Sequence, residues 1–60
     1  MPFANIKILK GRTPEQIKEL VEVVTEDMSR ILKCSPDAID ILVEEHEKDH
    51  WAHGGKLYSE

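Results

Sequence analysis

Phe3-Ala4-Asn5-Ile6-Lys7-Ile8-Leu9 decides how this chain folds. Phe3, Asn5, Lys7 and Leu9 fall on one side of an extended backbone, and Ala4, Ile6 and Ile8 on the other. That period of two, with β-branched residues inside it, predicts a strand with one fully apolar face. Met1-Pro2 stands directly ahead of it. A small second residue such as proline lets an initiator methionine be trimmed, so the expected mature chain is 2–60. The Pro2 nitrogen is then a secondary amine instead of an amide, held in a rigid ring at the head of a strand. An ordinary α-amino group titrates near ~7.7–8.0, and apolar surroundings lower that value by disfavouring the charged form. A base poised near neutral pH is what proton-transfer catalysis requires. Taken alone, Met-Pro is more often a simple chain start, and the rest of the sequence has to shift those odds.

After the strand, Lys10-Gly11-Arg12 reads as a turn, and Thr13-Pro14-Glu15-Gln16 as a helix start. Thr13 is the expected N-cap, Pro14 suits the first helical position, and Gln16 completes a capping box. Glu15 matches the positive end of the helix dipole. Ile17, Leu20, Val21, Val24, Met28, Ile31 and Leu32 recur at intervals of three and four and form one apolar stripe. Lys18, Glu19, Glu22, Glu26 and Arg30 occupy the opposite side, with Glu26 and Arg30 a favourable pair. The helix is expected to end near Lys33.

Ser35-Pro36-Asp37-Ala38 predicts a turn with one turn of 3₁₀ helix. Residues 39–45 predict a second strand, with Ile39, Ile41 and Val43 toward the helix and Asp40, Leu42 and Glu44 away from it. From His46 the alternation stops. Gly54-Gly55 predicts a short hairpin, and Ser59 and Glu60 are expected to fray. The fold class is therefore α+β: a β-α-β subunit with a parallel strand pair, a right-handed crossover and a short C-terminal hairpin. All of it is one domain, 1–60.

Sixty residues bury little core. A single cysteine, Cys34, leaves no internal disulfide to staple the fold. One helix cannot cover both faces of a two-stranded sheet, and Phe3, Leu9 and Leu42 leave the outward side partly apolar. A two-stranded sheet is also too small to be stable alone, so self-association is expected. The single thiol and the lack of a signal peptide suit a cytoplasmic protein. The apolar runs are too short to span a membrane. A formal charge of −4 with no basic patch argues against nucleic-acid binding.

His46-Glu47-Lys48-Asp49-His50 fits H-E-x-x-H, in which two histidines on one helix bind zinc. Here the motif follows a strand and runs into a Gly-Gly turn. His53 is the only third ligand at hand. A chance match is the better reading, and no metal is expected.

Pro2 after Met1, the strand Phe3–Leu9, the turn Gly11-Arg12-Thr13, the long capped helix and Gly54-Gly55 together resemble the 4-oxalocrotonate tautomerase family, without gaps over essentially the whole chain. The resemblance implies a homohexamer built as a trimer of dimers and no cofactor. It implies that Pro2 is the general base and acid of an enol–keto tautomerase acting on 2-hydroxy-dienoates or related enol acids. Arg12 matches the arginine that binds a substrate carboxylate. Trp51 falls where the family usually has phenylalanine, a wall of the pocket. The family's second arginine corresponds to Asp40, which reads equally as a substrate contact or as a solvated strand residue or intersubunit salt-bridge partner. That departure puts the usual dicarboxylate substrate in doubt. Left open beside this are a non-catalytic oligomeric or metal-binding module of the same fold, and a hydratase or dehalogenase for unsaturated acids.

Overall fold

The computed structural model describes residues 2–60. The expected removal of Met1 concerns a residue outside that range. Strand β1 (Phe3–Leu9) leads through the Gly11 turn into helix α1 (Pro14–Leu32). A 3₁₀ turn over Pro36–Ala38 returns the chain to β2 (Asp40–His46). A second 3₁₀ turn, Lys48–His50, precedes the hairpin β3 (Ala52–His53) and β4 (Lys56–Leu57). The two long strands pair in parallel, from Phe3 opposite Asp40 to Leu9 opposite His46. The expected β-α-β subunit with its antiparallel hairpin is the architecture found.

Local chemistry sets most element boundaries. Thr13 Oγ1 accepts the Gln16 N–H at 3.1 Å, and Gln16 Oε1 accepts the Thr13 N–H at 2.9 Å. Both donors would otherwise be orphaned at the helix start. At the far end Lys33 adopts a left-handed conformation (φ 55°), and the Cys34 N–H donates to the Ser29 carbonyl at 3.2 Å. Gly54 and Gly55 both have positive φ, 60° and 84°. A tight hairpin turn whose twist matches its strands needs that sign at both central positions.

The helix covers one side of the sheet only. Ala4, Ile6, Ile8, Ile41 and Val43 are half-buried there with Ile17, Leu20, Val21, Val24 and Met28. Several details differ from expectation. Ile31 and Leu32 end the apolar stripe but are 63% and 53% exposed. They are the last two residues of the helix. Arg30 pairs with Asp27 at 3.4 Å instead of with Glu26. Strand β2 starts one residue later than expected and takes in His46. The last residues, expected to fray, are bonded back to the hairpin: the Glu60 carboxylate accepts the Leu57 N–H at 2.8 Å, and the Glu60 N–H donates to the Leu57 carbonyl at 3.1 Å.

No described side chain is fully buried. Phe3, on the sheet face away from α1, is 61% exposed. The radius of gyration is 14.3 Å, with extents of 42 × 24 × 14 Å. A compact chain of this length has a radius of about 10 Å. The subunit is thus a thin two-layer slab with a partly apolar outer face.

Candidate active site

The parallel pairing puts both strand heads at one end of the slab and both strand tails at the other. Pro2 sits at the head of β1, half-buried. Its carbonyl accepts the Asp40 N–H at 3.1 Å, across from the start of β2. Asp40 is exposed beside it, opposite Phe3. Residues 38 apart in the chain (40 − 2) are thereby joined, because a parallel crossover aligns the two strand starts.

Arg12 lies beyond the other end of β1. Gly11 turns the chain there with φ 129°, a conformation L side chains rarely adopt. The Lys10 N–H donates to the His46 carbonyl at 3.0 Å, and Lys10 Nζ meets Glu47 Oε1 at 2.7 Å, tying the turn to the tail of β2. The hydrogen bond between them, and after it the attraction of the two charges, pushes the Lys10 ammonium up and the Glu47 carboxyl down from their ordinary values. Arg12 follows, exposed, with no ion-pair partner among the described residues. Its position directly before the N-cap adds the positive end of α1 to its own charge.

Trp51 is at this same end. Its ring stacks on Tyr58 (6.3 Å between centroids, 8° between planes) and meets the His46 ring edge-on (6.3 Å, 78°). The hairpin makes the stack possible: the Tyr58 N–H donates to the Trp51 carbonyl at 3.0 Å. The indole is half-buried, and with Lys7, His46 and His50 it walls a cleft of about 230 Å³.

Of the four expected site residues, Pro2 and Asp40 come together, and Arg12 and Trp51 share the opposite end. The seven residues of β1 stand between the two pairs. At about 3.3 Å per residue they span roughly 20 Å. A base must come within about 3 Å of the proton it takes, so a small acid bound at Arg12 cannot reach the Pro2 of its own chain.

Sequence reasoning passed over a polar row on the open sheet face. Glu44 accepts from Asn5 at 3.5 Å, lies 3.8 Å from Lys7 Nζ and faces His46 Nε2 at 3.4 Å. Its carboxyl is held below the usual range, first by His46 and then by Asn5. The signal was present in the alternation, which puts Asn5 and Lys7 on that face with Glu44. The register that pairs them was not. His46 stands in β2 and His50 in a 3₁₀ turn, so H-E-x-x-H does not lie on one helix. No three potential ligands cluster among the described residues. No described helix is long and apolar enough to cross a membrane.

A two-layer β-α-β slab with a proline at its first strand head and an arginine beyond its tail defines a class of small proline-headed subunits. The chain belongs to the tautomerase enzyme family, whose pattern it matches over residues 2–60. It is 43% identical over 60 residues to the 2-hydroxymuconate tautomerase of Bacillus subtilis, covering 100% of this chain and 97% of that protein. Its fold superposes on YwhB, a homologue of 4-oxalocrotonate tautomerase, with a TM-score of 0.95 at 42% identity, covering 98% and 97% of the two chains. A heterohexameric 4-oxalocrotonate tautomerase of Chloroflexus aurantiacus aligns with a TM-score of 0.96 at 25% identity, over 100% of this chain and 97% of that one. The protein is accordingly an enzyme, a tautomerase of the isomerase class.

Proposed function

We propose that this tautomerase interconverts enol and keto forms of small conjugated 2-hydroxy acids, at sites built from the strand head of one subunit and the strand tail of another. The observation that carries this is the roughly 20 Å of β1 between Pro2 and Arg12. Arg12 receives the substrate carboxylate, because a planar guanidinium pairs with it through two parallel hydrogen bonds. The Pro2 amine of a second subunit takes the enol hydroxyl proton and returns it to a carbon of the conjugated system. The proton count is unchanged, and the reaction uses no cofactor. Trp51 forms an apolar wall that keeps water from the amine. The exposed Phe3 and Leu42 supply the contact between subunits. A homohexamer, a trimer of dimers, suits this arrangement, and one structural relative is described as a heterohexamer. A cytoplasmic setting fits the lone free thiol, Cys34.

Subunit mixing tests the shared site. Protein that keeps Met1 has no Pro2 amine, and Arg12→Ala protein has no anchor, so each is expected to be nearly inactive. Unfolding both in equal amounts and refolding them together recovers activity, because some sites draw Pro2 from one chain and Arg12 from the other. Random assembly restores about a quarter of the sites (one half times one half). A site contained in one chain recovers nothing.

Asp40 tunes which acids are accepted. Its carboxylate stands at the same sheet end as Pro2 and repels a second negative charge on the substrate. Unit charges ~4 Å apart interact by about 1 kcal/mol in water and about 4 kcal/mol at an effective dielectric of ~20. Monocarboxylate enols are expected to turn over better than dicarboxylate ones. Asp40→Arg is expected to raise the dicarboxylate-to-monocarboxylate ratio of kcat/KM by about tenfold or more, and less at high salt. An unchanged ratio places Asp40 outside the site.

A further inference from the structure

We infer that Tyr58 is a positioning residue of the site: its ring holds the indole of Trp51 in place as the apolar wall beside the proline amine. The inference rests on the reading of Trp51 given above and adds the group that fixes it. The Trp51 and Tyr58 rings are parallel to within 8°, with centroids 6.3 Å apart, the offset-stacked arrangement that aromatic quadrupoles favour. The His46 ring meets the indole at 78°. Trp51 lines the cleft of about 230 Å³ together with Lys7, His46 and His50, and Tyr58 is not part of that lining. Tyr58 therefore acts on the cleft through the indole and not by direct contact.

The backbone of the hairpin is held without the Tyr58 side chain. The Tyr58 N–H donates to the Trp51 carbonyl at 3.0 Å, beside the Ala52–Leu57 pair. The reversal at Gly54 and Gly55 closes one end. The two bonds between Leu57 and Glu60 tie down the other. Any residue but proline at position 58 keeps the bond to Trp51, since it uses only the main chain. The Tyr58 ring itself is 48% exposed, so its removal takes little from the packing of the subunit. What the ring does supply is a flat face against the indole. A tryptophan side chain turns about two torsions, and a ring stacked on it restricts both. The stack thus links a residue outside the cleft to the orientation of one of its walls.

The test compares the assembled, Met1-free protein with Tyr58→Phe, Tyr58→Ala, Trp51→Ala and the double variant Trp51→Ala/Tyr58→Ala. Circular dichroism confirms the fold of each. Trp51 is the chain's one tryptophan, so fluorescence quenching by acrylamide reads its exposure directly. Tyr58→Ala should make the indole more accessible to acrylamide and lower kcat/KM for an enol acid about two- to tenfold, the range for one aromatic stack. Tyr58→Phe keeps the flat face and should match the wild type in both measurements. The double variant should lose no more activity than Trp51→Ala alone, because Tyr58 works only through that ring. Full activity in Tyr58→Ala overturns the inference. So does Tyr58→Phe as impaired as Tyr58→Ala, or losses that multiply in the double variant. If the wild-type protein ketonises no enol acid, the functional reading fails instead, and the acrylamide comparison, which needs no substrate, still decides whether Tyr58 holds the indole.

Discussion

Protein that keeps Met1 should fold and assemble normally and show no measurable ketonisation. The expectation follows from one bond. With Met1 attached, the Pro2 nitrogen is a tertiary amide: its lone pair is delocalised into the carbonyl, and it can neither accept nor donate a proton. With Met1 removed it is a secondary amine. General acid–base catalysis contributes about 10²- to 10⁴-fold, so a loss of at least about a hundredfold in kcat is anticipated. The fold should be indifferent, because the Pro2 group that holds the sheet together is its carbonyl, bonded to Asp40 at 3.1 Å. Chemical synthesis of both forms, followed by the absorbance of a conjugated enol as it ketonises, gives the comparison directly. Circular dichroism and native mass spectrometry check the fold and assembly. Pro2→Ala leaves a primary amine on a looser backbone and should retain reduced activity. Undiminished turnover by the Met1-retaining form would falsify the assignment of Pro2.

Arg12→Ala is expected to lower kcat/KM for enol acids by about a hundredfold, the scale for losing one partner of a hydrogen-bonded charge pair in a binding site. Thermal stability should change little. Arg12 is exposed and has no ion-pair partner among the described residues. The turn is held instead by the Lys10 N–H on the His46 carbonyl and by the Thr13–Gln16 capping box. Arg12→Lys should recover part of the loss, since it restores the charge without the planar fork. The discriminating measurement is kcat/KM beside the melting temperature in all three proteins. A large drop in stability with modest kinetic change makes Arg12 a structural turn residue.

Both effects concern single residues that a reader of the sequence could single out, and the reason is that their signals are local. The alternation of Phe3–Leu9, the Thr13 and Gln16 cap and the Gly54-Gly55 turn each depend on residues within a few positions of one another. So do Pro2 at the head of a strand and Arg12 at the mouth of a turn. The expectations that failed involved competing partners. Arg30 had two carboxylates within reach and took Asp27 over Glu26. Glu60 found the Leu57 N–H, which no periodicity announces.

The sequence by itself therefore determined the elements, their order, the parallel pairing and the identity of the residues able to do chemistry. Only the tertiary structure decided which of those residues meet. It set Phe3 opposite Asp40, brought Lys7, Glu44 and His46 into one row, and walled a cleft with Trp51 and two histidines. It also kept Pro2 and Arg12 apart by the length of β1. Periodicity and capping are short-range properties of a chain, whereas register and contact come from closing loops of tens of residues, whose outcome is settled by packing across the sheet.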